Sequence, residues 1–352
     1  PTRAEFLLRR GSLLQETADH AGAKEALFDA VWAAEAGRHD DVAARAWVEI
    51  LHLTGAVLER HEEAHRWSRR ASAAIARLGG DPRLGASYLR EMGSLSMREG
   101  KYKAARESYD RALALFEKAY GPRHLQSSVI HNSLGILAVR QADPDRAIHH
   151  FREARSIITE VYGEAHPRVA ALDDNMGVVL RRAGRLEESL AHHRRAMRAK
   201  EALLGKEHTD LAYSIHNIGS TLFKMERYDE ALAAFRRSYG LWEQAFGPDH
   251  PKTAASLLNL GIALKNLGRH EEALSTLQRT AEVYERALGP EHPDVALALA
   301  NTADVLDKMK RHKDAVAALE RAVAIFHKVL DEGHPTLVNA TRALAMARER
   351  LK

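Results

Sequence analysis

One spacing dominates the chain: histidine recurs every 42 residues, at His124, His166, His208, His250, His292 and His334. Gly93, Gly135, Gly177, Gly219 and Gly261 keep the same spacing, with Ala303 in the next copy. A third column runs through Ala105, Ala147, Ser189, Ala231, Ala273 and Ala315. Three columns in phase define a repeat array, in which added length adds units instead of enlarging one core. The 352 residues therefore need not mean several globular domains.

Within one unit the apolar residues follow helical spacing. Leu257, Leu260, Ile262, Leu264 and Leu267 mark one amphipathic helix, and Leu274, Leu277, Ala281, Tyr284 and Leu288 a second. Gly268 ends the first helix (A), and Gly289-Pro290 ends the second (B). Pro293 then suits the first position of the next helix, where no amide donor is missed. Small residues fall where helices must approach: Gly261 in helix A, and Ala273 and Thr280 in helix B. The second helices are expected near His20, His61, Tyr102, Pro144, Leu186, Tyr228, His270 and His312.

This pattern of small residues, with Tyr102 or Tyr228 opening helix B, resembles the tetratricopeptide repeat. The 42-residue period and the G-P-x-H-P connector are similar to the variant found in kinesin light chain and in many bacterial regulators. The resemblance implies an all-α right-handed solenoid of about eight helix pairs. It divides 1–352 into two irregular repeats (1–80), six regular ones (81–333) and a capping helix (334–352). It also implies a non-enzymatic module that binds proteins or peptides in a concave groove lined by the A helices. The opening segments AAEAGRHDDVAARAW and HRWSRRASAAIARLGGDPRL resemble the repeat regions that follow the catalytic domain of large bacterial serine/threonine kinases. On that likeness the chain is the sensor or docking region of a larger signalling protein. The alternatives are the peptide-sensing part of a signal-transduction ATPase or transcriptional regulator, and a cargo adaptor. The start at Pro1 without methionine fits an excised piece.

Composition narrows the classes further. Lys+Arg exceed Asp+Glu by 52 to 48, too small an excess to imply nucleic-acid binding. There is no cysteine, so no disulfide or thiolate metal site is possible, and a reducing cytoplasm is the expected setting. No apolar run reaches the length of a membrane span. No phosphate-binding glycine loop or nucleophile elbow occurs, and no cofactor is expected. His61-Glu62-Glu63-Ala64-His65 matches the zinc-protease pattern H-E-x-x-H. The same stretch aligns with Arg269-His270-Glu271-Glu272-Ala273, the ordinary start of helix B, so no metal is expected there. The six connector histidines lie too far apart for one metal and are expected to cap helices.

The candidate site lies on helix A. Asn175, Asn217, Asn259 and Asn301 form one column, with Asn132 one residue off it. In the families that the chain resembles, an Asn in this region bonds the backbone of a bound peptide, and an amide can both donate and accept. A second column holds Arg98, Arg140, Arg182, Lys224, Asn266 and Lys308. If it faces the groove, the expected ligand is an acidic protein segment. The competing expectation is a solvated basic residue near each helix C-terminus. His131, Asp173 and Asp174 break the apolar pattern; His131 and Asp173 hold equivalent positions, and either pair or turn to solvent. Trp32, Trp47 and Trp67 are expected to fill gaps in the irregular repeats or to form a docking surface.

Overall fold

The computed structural model describes residues 2–351, and among them there are seventeen α-helices, one π-helical turn and no strand. The chain divides into two compact units, Pro1–Gly163 and Glu164–Lys352. In the first, α1 (Arg3–Glu16) pairs with α2 (His20–Ala36), and α3 (Asp40–His52) with α4 (His61–Arg77). There, α5 (Pro82–Arg98) also pairs with α6 (Tyr102–Tyr120), and α7 (Leu125–Arg140) with α8 (Pro144–Tyr162). The second unit holds α9 (Pro167–Arg182) with α10 (Leu186–Leu204), and α11 (Asp210–Lys224) with α12 (Tyr228–Phe246). Its remaining pairs are α13 (Pro251–Asn266) with α14 (His270–Leu288) and α15 (Pro293–Lys308) with α16 (His312–Val329), followed by α17 (Pro335–Glu349). All eight B helices start at the residues that the repeat register predicts. In the irregular second repeat α3 passes into a π-helical turn, Leu53–Val57.

The glycine column is the register of each pair. A Cβ at Gly93, Gly135, Gly219 or Gly261 would stand under 3 Å from Tyr109, Phe151, Phe235 or Leu277 of its own B helix. A residue with any side chain would force that core ring or leucine aside. The B helices α6, α8, α10, α12 and α14 then end at Gly121, Gly163, Gly205, Gly247 and Gly289, with φ between 82° and 94° and ψ between 155° and 170°. Only glycine occupies that region at low cost. The connector histidines cap the next helix. Nδ1 of His124, His166, His208, His250, His292 and His334 accepts the amide N–H two residues on, at 3.1–3.2 Å. That satisfies one of the orphan donors of each A helix.

Trp47 and Trp67 stack at 5.4 Å between ring centroids, with Phe28 edge-on to both, so these two fill the core of the irregular repeats. Trp32 does not; it is exposed on α2. No helix is long and apolar enough among the described residues to cross a membrane.

Candidate functional site

Neighbouring A helices touch within each unit: α1–α3–α5–α7 in the first and α9–α11–α13–α15 in the second. The residues of the two predicted columns lie on these helices. In the first unit, Arg98 and Arg140 line one cleft of about 500 Å³ with Glu59, Met97, Tyr102 and Ile136. Arg98 donates to the Glu59 carboxylate at 2.8 Å. Arg140 is exposed and makes no ion pair among the described residues. In the second unit Arg182, Lys224 and Lys308 are likewise exposed and without an ion-pair partner among the described residues. Other surface cations are paired in a repeating way: Arg185–Glu188, Arg227–Glu230, Arg269–Glu272 and Arg311–Asp314.

The asparagine column is not uniform. Asn259 and Asn301 donate one amide N–H to the carbonyls of Ala255 and Leu297, one turn back in their own helices, at 3.0 and 2.9 Å. Asn175 is half-buried. Asn217 is buried at 5% exposure, and its amide nitrogen has no partner. Next to it His216 lies against Phe235 and Trp242, with Nδ1 unpaired and Nε2 3.5 Å from the Asn259 amide. Burial, reinforced by the Arg181 guanidinium, pushes its pKa down to about 4. Arg181 is itself half-buried with Nε unpaired, and burial followed by repulsion from Arg182 lowers its pKa. Column reasoning placed Arg181 beside the basic column, with Met97, Val139, Phe223, Lys265 and Asp307, but not its burial, and it missed His216, whose column is mixed and gave no signal.

The residues that break the apolar pattern neither turn to solvent nor pair His131 with Asp173; each meets a histidine of its own B helix, and Asp174 also reaches α11. His131 meets His150 at 3.2 Å between Nδ1 atoms, and Asp173 meets His192 at 2.7 Å. Asp174 takes His193 at 2.9 Å, Lys200 at 2.9 Å and Ser214 at 2.6 Å. Each histidine partner stands nineteen positions after its mate, across the A–B turn. The supposed protease motif is taken up by the scaffold, since His65 Nε2 bonds Glu99 at 2.7 Å. No group of three metal-ligating side chains occurs among the described residues.

Paired antiparallel helices in register, stacked on an A-helix face that carries unpaired polar groups, define an α-helical repeat scaffold. The tetratricopeptide-repeat family model matches residues 83–160, 138–202, 168–239, 210–280 and 257–328. The chain belongs to the tetratricopeptide-repeat family. Among solved structures it is similar to a putative kinesin light chain with tetratricopeptide-like repeats from Podosopora anserina, at 18% identity over 59% of this chain and 99% of that one, with a TM-score of 0.52. It is also similar to the apo form of RapI, at 16% identity over 86% of each chain with a TM-score of 0.65. A Rap protein complexed with competence and sporulation factor matches at 13% identity over 99% of this chain and 98% of that one, with a TM-score of 0.51. A comparison with curated protein sequences finds no match.

Proposed function

We propose that the A-helix face of each unit binds an acidic segment of a partner protein, and that the chain is the docking region of a larger signalling protein. The observation that carries this reading is the unpaired basic column. Arg140, Arg182, Lys224 and Lys308 repeat at one position of the A helices, exposed and without an ion pair among the described residues. Arg98 supplies the pattern for what the column takes: its guanidinium already holds one carboxylate, that of Glu59, inside the cleft it shares with Arg140. A ligand carboxylate replaces that contact and reaches the second guanidinium, while Met97 and Ile136 take its apolar stem. In the asparagine column one N–H of Asn301 and the side-chain carbonyl oxygens of Asn259 and Asn301 remain for a ligand backbone, and Asn217 and His216 bring further unpaired atoms. The Rap protein that matches over nearly the whole length is complexed with competence and sporulation factor, which favours a sensing role for this repeat scaffold. The likeness of the opening 80 residues to kinase repeat regions supports a serine/threonine kinase as that larger protein.

The test uses the chain immobilised against a library of synthetic peptides graded in Asp and Glu content. Acidic peptides are expected to bind, and to weaken as salt rises. The double variant Arg140→Glu, Arg182→Glu should lose them while its helical content and thermal midpoint hold, since both side chains are exposed. Capture indifferent to both charge reversal and salt overturns the proposal.

A further inference from the structure

The A helices of the two units carry different chemistry at the same register. In the first unit Met97, Arg98, Ile136 and Arg140 line one cleft, with Glu59 on the Arg98 guanidinium. Two repeats on, in the second unit, those four positions hold Arg181, Arg182, Ser220 and Lys224. Both cations are kept, while the two apolar side chains become a guanidinium and a hydroxyl. The helices that carry the four, α9 and α11, touch each other.

Arg181 is the anomaly among them. It is half-buried, and its Nε has no hydrogen-bond partner. Lys265 holds the same position two repeats further on, and there the chain supplies the counter-ion: Lys265 Nζ donates to Asp304, thirty-nine positions later, at 2.6 Å. Thirty-nine positions after Arg181 stands Ser220. Where Lys265 has an acid, Arg181 has a neutral hydroxyl. A cation taken out of water without an anion is costly. None of Arg181, Arg182 and Lys224 has an ion-pair partner among the described residues. An anion from outside the chain completes the set.

Charge selects the anion. In the first unit Arg98, Arg140 and Glu59 sum to one positive charge, which a single carboxylate balances. In the second, Arg181, Arg182 and Lys224 sum to three. A phosphorylated side chain carries about −1.5 to −2 charge at neutral pH and three strong acceptor oxygens, and the guanidinium fork matches those oxygens. A longer polyanion is opposed further along the unit, where α15 carries Asp304 and Asp307 and Lys265 is already taken.

We infer that Arg181, Arg182, Ser220 and Lys224 bind a phosphorylated side chain of the partner segment, an inference that rests on the A-helix face being the docking face. The two guanidiniums take its oxygens, Ser220 Oγ donates to it, and Lys224 supplies the remaining charge.

The test synthesises the library of acidic peptides in three series, with serine, phosphoserine or glutamate at the centre, and measures binding to the full chain. Phosphoserine peptides are expected to bind about tenfold tighter than their glutamate counterparts, the gain of a further charge-assisted hydrogen bond. Arg181→Met with Ser220→Ile places the first-unit residues in the second unit. It should remove that preference and leave both the affinity for the glutamate series and the thermal midpoint unchanged. Arg182→Gln, an exposed change, should weaken the preference as well. Equal binding of the phosphoserine and glutamate series overturns the inference and leaves the carboxylate-binding column standing; failure of all three series overturns both. A preference that survives Arg181→Met with Ser220→Ile overturns it too. Competition by inorganic phosphate at the phosphopeptide's own concentration would make a free anion the ligand, and a single-stranded oligonucleotide binding as tightly would make it a nucleic acid; either result overturns the inference.

Discussion

Asp174 sits where its neighbours carry apolar or half-buried residues, and it stays there because both oxygens are occupied. His193 takes one, and Lys200 with Ser214 the other. Removing one partner of such a buried pair costs more than the pair contributes, because the other charge is left without compensation. Asp174→Ala is therefore expected to lower stability by about 3–5 kcal/mol, and adding Lys200→Met should recover a large part; chemical denaturation measures both. His150 and His216 make the opposite bargain and stay neutral. Burial, with His131 beside one and Arg181 beside the other, brings each down to about 4. Unfolded, a histidine titrates near about 6.5. Between those values the unfolded chain holds protons that the folded chain does not, so this stability is complete above the unfolded value and lost as pH falls toward 4. His52 runs the other way: its bond to Glu91 raises its pKa, so its contribution is present at low pH and fades as pH rises. Thermal midpoints should drop from pH 7 to pH 5, and His216→Phe should remove on the order of 2 kcal/mol of that drop. A midpoint equally pH-dependent in His216→Phe would contradict the assignment.

At the scale of the helix, the A–B pair depends on one close approach per repeat. Gly219 admits the Phe235 ring, and an added Cβ would lie 2.7 Å from it. Ala would normally stabilise a helix interior relative to Gly by roughly 0.5–1 kcal/mol; here the ring must move, and the sign reverses. Gly219→Leu is expected to cost about 1–3 kcal/mol. Because repeats couple to their neighbours, hydrogen exchange should show α11 to α13 losing protection while α1 to α6 keep theirs. Uniform loss across both units would mean the chain unfolds as one body. Helix starts were readable because proline, histidine and glycine punctuate every turn with a physical reason: a missing donor, a side-chain cap and a positive φ. The π-helical turn after α3 was not, since no residue at Leu53–Val57 breaks helical spacing.

Across the whole molecule, the period alone carried the architecture, because columns in phase report which residues must be small, apolar or left-handed. The candidate site was legible less completely. The column arithmetic found Arg98, Arg140, Arg182, Lys224 and Lys308 and placed them on the A helices, but it could not tell that Glu59 already pairs with Arg98. It read Asn217 as the equal of Asn259, whereas the first is buried with its amide unpaired and the second bonds its own helix. It saw Asp173 and Asp174 as anomalies and missed the histidines nineteen positions on that satisfy them, since a partner across a turn leaves no mark in a single column. The claim that matters most is that a partner seats on the A helices. Hydrogen exchange of the chain saturated with its tightest-binding acidic peptide tests it directly. Side chains that clamp a ligand should slow exchange in α5, α7, α9, α11, α13 and α15 around Arg98, Arg140, Arg182, Lys224 and Lys308. Protection confined to the B helices α6, α8, α10, α12 and α14 would contradict the account.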